Sequence, residues 1–156
     1  MASPEPEILR ENDLFSGVPL DKLAEFLQKG AHRQFPSDTV LIEENSPSEG
    51  IYYIQDGSVL VTKGEGEVEV ATLHEGECFG EMSLFGEALP SARVVSQTRL
   101  EAYFFPEDLV HRYLENDHAF CLNVLKNMIQ RLSSRLRDTT ASLLESRRGA
   151  SDGKSV

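Results

Sequence analysis

Hydrophobic and polar positions divide the chain into three stretches. Up to Gly30 the spacing is helical. Glu7 to Leu14 forms a short helical run, and Leu14-Phe15-Ser16-Gly17-Val18-Pro19-Leu20 interrupts it with Gly and Pro. Asp21 opens a second helix with Leu23, Phe26 and Leu27 at i, i+3 and i+4, and Gly30 stands at the stop position. From Ala31 to Phe105 the pattern changes to short β-runs. These are Thr39-Val40-Leu41-Ile42, Ile51-Tyr52-Tyr53-Ile54, Val59-Leu60-Val61-Thr62, Val68-Glu69-Val70-Ala71, Arg93-Val94-Val95 and Leu100-Glu101-Ala102-Tyr103-Phe104. Ser46-Pro47-Ser48, Asp56-Gly57, Gly64-Glu65-Gly66 and Glu75-Gly76 punctuate them, and Gly64-Glu65-Gly66 reads as a hairpin turn.

After Pro106 the pattern is helical again. Pro106-Glu107-Asp108 opens a helix carrying Leu109, Val110, Tyr113 and Leu114, which pauses at Asn116-Asp117. A long helix follows from about His118 to Arg148. Leu122, Leu125, Ile129, Leu132, Leu136, Thr139 and Leu143 recur along it at spacings of three and four, which is a heptad seam. An amphipathic helix packed on its own domain also buries one stripe. At about 45 Å, however, this helix outruns the face of a small sandwich. A parallel homodimer through residues 118–146 is therefore expected.

The expected fold is mainly β with flanking helices: an antiparallel β-sandwich or jelly roll of about eight strands, N-terminal helices and a long C-terminal helix. The domain is expected over residues 1–148, with a helical preface at 7–30, a β-roll at 31–105 and C-terminal helices at 106–148. Residues 149–156 read as a flexible tail.

At 156 residues the chain suffices for one compact domain, and its 40% apolar content sits near the globular norm. The longest apolar runs, such as Ile51 to Ile54 and Ala102 to Phe105, are too short for a membrane span, and no secretory signal is expected. Cys78 and Cys121 form no disulfide framework, so a reducing cytoplasm is expected. The net charge of −11 argues against nucleic acid. It is unevenly spread: residues 1–120 carry 8 Lys and Arg against 23 Asp and Glu, and residues 121–156 carry 7 against 3. Arg131, Arg135, Arg137, Arg147 and Arg148 make the last helix basic and read as solvated flanks of the coiled coil.

The most informative stretch is Gly76-Glu77-Cys78-Phe79-Gly80-Glu81-Met82-Ser83-Leu84-Phe85-Gly86-Glu87. A strand ending at Phe79-Gly80 runs into a helical turn from Glu81. Gly80 permits a bend or a close approach, and a new helix N-terminus offers free N–H groups to an anion. Glu81 supplies a carboxylate that can accept from a sugar hydroxyl. Together with Leu14-Phe15-Ser16-Gly17, Ile51-Tyr52-Tyr53-Ile54-Gln55-Asp56-Gly57 and the two final helices, this stretch resembles the cyclic nucleotide-binding domain superfamily over about residues 8–145. The resemblance implies that the backbone from Gly80 to Leu84, following Phe79 and including Met82 and Ser83, cradles the cyclic phosphate of cAMP or cGMP. It implies that Glu81 binds the ribose 2′-hydroxyl and that the last helix closes over the base.

The chain departs from the family at Leu89-Pro90-Ser91-Ala92-Arg93. Pro90 stands where the family carries its phosphate-binding arginine, and it has neither charge nor N–H to offer. Ser91 and Ala92 fit the following small pair. Arg93 either reaches the phosphate from three residues along or lies on the strand surface paired with an acid. Ser91 either donates its hydroxyl to the ligand or is a turn residue.

Other chemistries find less support. His32, His74, His111 and His118 form no His-x-His pair of a metal-binding cupin, so no metal site and no cofactor are expected. Cys78 has no basic neighbour to activate it, and no catalytic constellation stands out, so no enzyme is expected. The residues after the long helix are expected to be too few for a helix-turn-helix. The function implied is a non-catalytic sensor that passes ligand state through its C-terminal helix to a downstream protein. The alternative is a degenerate domain that binds no nucleotide and serves as a dimerisation scaffold. A third possibility is another anionic ligand, such as a cyclic dinucleotide.

Overall fold

In the computed structural model, residues 5–46, 49–81 and 92–152 are described, the last three of them by backbone only. Eight strands form two antiparallel four-stranded sheets. They are β1 (Ala31–Phe35), β2 (Val40–Ile42), β3 (Gly50–Asp56), β4 (Val59–Lys63), β5 (Val68–Leu73), β6 (Cys78–Phe79), β7 (Arg93–Ser96) and β8 (Leu100–Pro106). One sheet has the order β1-β8-β3-β6 and the other β2-β7-β4-β5. Helices α1 (Pro6–Arg10) and α2 (Leu20–Gln28) precede them, and α3 (Glu107–Asn116) and α4 (His118–Asp152) follow.

Strands β3 and β8 are buried on both faces, which explains why they carry the longest apolar runs. Ile51, Tyr53, Tyr103 and Phe105 point to a helical layer containing Phe15, Phe26, Tyr113 and Phe120. Their neighbours Tyr52, Ile54, Ala102 and Phe104 point the other way, into a second core between the sheets with Val94 and Phe79. Phe26 stacks on Phe105 with ring centroids 4.4 Å apart, and it is this aromatic cluster that seats the helices on the first sheet.

Three expectations need correction. The first helix ends at Arg10, not at Leu14, because the Asn12 side chain takes over. Its Oδ1 accepts from the Leu14 amide at 2.8 Å and its Nδ2 donates to the Gly76 carbonyl at 2.7 Å, so a local turn replaces the next helical turn. Strand β1, Ala-His-Arg-Gln-Phe, stood outside the strand candidates because it is a polar edge strand, half open to solvent. Gly149, expected to open a flexible tail, instead lies within α4, which runs through Asp152. A single glycine weakens a helix without ending it, and nothing lies close to Gly149. Residues 153–156 lie outside the described residues.

Helix α4 docks through one face and leaves another bare. Phe120, Val124, Asn127 and Met128 are buried, and Asn127 Nδ2 donates to the carbonyls of Leu14 at 2.9 Å and Ser16 at 2.8 Å. The heptad seam lies about a third of a turn away. Leu122, Ile129 and Leu136 on it are 69%, 63% and 69% exposed, so internal packing does not account for the seam. Every residue from 132 to 149 is exposed. Asp117 caps the helix, its carboxylate accepting from the Phe120 amide at 3.0 Å.

Candidate functional site

The site begins where β6 pairs with β3. Tyr52 lies opposite Phe79 and Tyr53 opposite Cys78. The Tyr52 and Phe79 rings stack with centroids 4.9 Å apart and an interplanar angle of 8°. Immediately after Phe79 the chain turns at Gly80, whose φ is +92°. A Cβ built there would run into the Gly50 carbonyl oxygen, so both the left-handed backbone and the close approach to β3 demand glycine.

Glu81 follows and is 3% exposed. A carboxylate buried this deeply requires compensation, which comes from α4. Arg131 Nη2 lies 3.1 Å from Glu81 Oε1, and Arg135 Nη2 lies 3.6 Å from the same oxygen. The two arginines are spaced i, i+4 on the face of α4 that also carries Val124 and Met128, so they continue the docked face beyond its apolar part. Their reading as solvated coiled-coil flanks is therefore corrected. The signal was their phase, which coincides with the docked stripe and not with the seam. Arg131, Arg135, Asp13, Ser16, Gln130 and Ser134 line a cavity of about 380 Å³ between α4 and the loop after α1.

Arg93 lies elsewhere. It pairs with Thr62 on β4, next to Val94, which faces the core between the sheets. Strand alternation turns Arg93 to the opposite, outer face. There its Nε lies 2.7 Å from Glu43 Oε1, and its Nη1 engages Glu67. Of the other residues the sequence singles out, Ala92 is half-buried just ahead of β7. Met82, Ser83, Leu84, Pro90 and Ser91 lie outside the described residues, and with them most of the helical turn expected from Glu81 onward.

Cys78 precedes Phe79 and points into the helical layer. Burial pushes its thiol pKa well above the usual range, and the nearby Glu81 charge adds to the effect. A thiol held protonated in this way is a packing residue. Burial likewise pushes the Tyr53 phenol up to about 12.

Comparison with known proteins adds the family. Residues 32–117 match the cyclic nucleotide-binding domain family. Over 128 residues the chain is 30% identical to glutaminase 1 of Bradyrhizobium diazoefficiens, covering 82% of this chain and 21% of that protein. Over 95 residues it is 32% identical to the cAMP-dependent protein kinase regulatory subunit of Schizosaccharomyces pombe, covering 61% of this chain and 22% of that one. The chain thus spans about a fifth of the length of these two relatives. The fold is shared with a cyclic nucleotide-binding domain from Methylobacillus flagellatus, with a TM-score of 0.75 at 23% identity over 91% of this chain and 82% of the other. Among the described residues no helix is long and apolar enough to cross a membrane. The chain belongs to the cyclic nucleotide-binding domain family.

Proposed function

We propose that this domain is a non-catalytic regulatory module that binds a cyclic nucleotide, cAMP or cGMP, beside Gly80 and Glu81 and reports occupancy through α4. The observation that carries the reading is the buried Glu81 carboxylate, held against α4 by Arg131 and Arg135. A ribose hydroxyl arriving at Glu81 competes with those arginines, so ligand entry and helix position are linked. The name of the fission yeast kinase subunit makes cAMP the first nucleotide to try.

On this reading the ligand site comprises Phe79, Gly80, Glu81, Met82, Ser83 and Leu84, with Ser91, Ala92 and Arg93. Gly80 and Glu81 have the strongest support. Arg93 has the least, because Glu43 and Glu67 already engage its guanidinium. The seam of α4 pairs two copies of the chain over residues 118–146, and its exposed leucines support that role. The module works in the cytoplasm and hands its signal to a downstream protein. A scaffold that binds no nucleotide is the second reading, favoured by Pro90 and by the commitment of Arg93.

Titration calorimetry of the nucleotide-free protein with cAMP, then cGMP, separates the two. Micromolar binding supports the sensor. Loss of that binding in Arg93→Ala assigns the phosphate to Arg93, whereas its retention leaves the phosphate to other groups. Folded protein that gives no heat with either nucleotide supports the scaffold.

A further inference from the structure

We infer that Arg131 and Arg135 of α4 supply the counter-charge for the cyclic phosphate, which the chain lacks at position 90. The inference rests on the cyclic nucleotide reading and extends it to a part of the fold that the phosphate cassette does not include.

Three observations converge. First, the positions where an arginine would ordinarily be sought hold none that is available: Pro90 is uncharged, and Arg93 is engaged by Glu43 and Glu67 on the outer face of its sheet. Second, one carboxylate faces two guanidinium groups. Glu81 Oε1 takes both Arg131 Nη2 and Arg135 Nη2, leaving one positive charge in excess at the pair. Asp13 lines the same cavity, but it is exposed and forms no ion pair with either arginine among the described residues. Third, Arg131 Nη1 is buried and has no hydrogen-bond partner among the described residues. A buried guanidinium N–H without an acceptor is costly, and a phosphate oxygen is the acceptor that guanidinium geometry fits best.

The placement is rigid where it needs to be. Asn127, one turn before Arg131, is fixed by two hydrogen bonds to the loop after α1, so the helix presents Arg131 in a set register. A cyclic phosphodiester carries a single negative charge, which matches the excess beside Glu81. The ribose then meets Glu81 and the phosphate meets the arginines. Both ends of the sugar-phosphate are thereby read at the contact between β6 and α4.

The test uses the full chain and cAMP, with Kd measured by calorimetry at two salt concentrations. Arg131→Gln and the double variant Arg131→Gln, Arg135→Gln should weaken binding about tenfold or more, and the salt dependence of Kd should flatten. Arg131→Lys, which keeps the charge, should recover part of the loss. Arg137→Gln removes an equal charge from an exposed part of the same helix and should leave Kd unchanged. Thermal midpoints identify any variant that loses its fold, and Arg131→Lys then carries the comparison. Unchanged or tighter binding in the arginine variants overturns the inference while the sensor reading stands. So does binding that Arg93→Ala alone abolishes. Absence of binding by the wild-type protein is a different result and removes the cyclic nucleotide reading itself.

Discussion

Glu81 and Arg131 meet at 3.1 Å although β7, β8 and α3 all intervene between them in the chain. The contact joins the residues just after a two-residue strand to α4, beyond Met128, the last buried apolar residue of that helix among the described residues. If Glu81 reads the ribose, the wild-type protein will prefer cAMP to its 2′-deoxy analogue by about tenfold, the worth of one hydrogen bond to a charged group. Glu81→Ala should remove that preference. A variant that still discriminates between the two ligands would place the ribose elsewhere.

Gly80→Ala should be destabilising by about 1–3 kcal/mol, because its left-handed backbone disfavours any side chain and the new methyl meets the Gly50 carbonyl. Urea unfolding measures the loss. A neutral result would mean that β6 and the start of β3 separate more easily than their pairing implies.

Asn127→Ala leaves the Leu14 and Ser16 carbonyls without their donor in a buried setting, at about 1–3 kcal/mol. The expected signature is a lower urea midpoint with an unchanged m-value. Hydrogen exchange should rise in the loop after α1 and in the first half of α4 together, since one amide holds both.

Leu132→Glu combined with Leu136→Glu should make the protein monomeric in sedimentation velocity at micromolar concentration. Both residues are exposed in the single chain, so the thermal midpoint of the β-roll should change little. Wild-type protein that already sediments as a monomer would remove the dimer proposal.

Stability should decline at alkaline pH. The folded state raises the pKa of Cys78 and moves that of Tyr53 up to about 12, chiefly through burial. Groups shifted in this direction contribute full stability below their ordinary pKa values and lose it as the pH rises from there toward the folded ones. Urea midpoints at pH 8 and pH 10.5 should show the fall, and Cys78→Ala should shrink it. Iodoacetamide at pH 8.5 should leave Cys78 unmodified in the native protein and alkylate it once urea is added.

Much of this architecture was legible because burial on both faces leaves an unmistakable trace. Ile51-Tyr52-Tyr53-Ile54 and Ala102-Tyr103-Phe104-Phe105 mark the two strands that separate the helical layer from the core between the sheets. At the Gly80-Glu81 junction the bend and the close approach were legible from the glycine, but a strand end with glycine is common, and only the family resemblance singled this one out. What escaped depends on partners distant in sequence. Ala31–Phe35 has no apolar alternation because only one of its neighbours is a strand, and its pairing with β8 supplies the register. Asn12 stops a helix by bonding to Gly76, a contact no local pattern reveals. Arg131 and Arg135 sit on a helix bearing two superposed stripes, and the heptad is the louder of them. Arg93 finds Glu43 and Glu67 only after β2, β5 and β7 have assembled.

The alternation of β3 also furnishes an optical experiment. The chain contains 4 tyrosines and no tryptophan, so its intrinsic emission comes from phenols alone. Tyr52 faces the core between the sheets and stacks on Phe79, whereas Tyr53, Tyr103 and Tyr113 belong to the helical layer. Subtracting the emission of Tyr52→Phe from that of the parent protein therefore isolates the sheet interior beside Gly80. The emission that remains in the variant follows the seating of the helices. Tyr52 thus reports on the core between the sheets, and the three tyrosines of the helical layer report separately on how the helices sit against the first sheet.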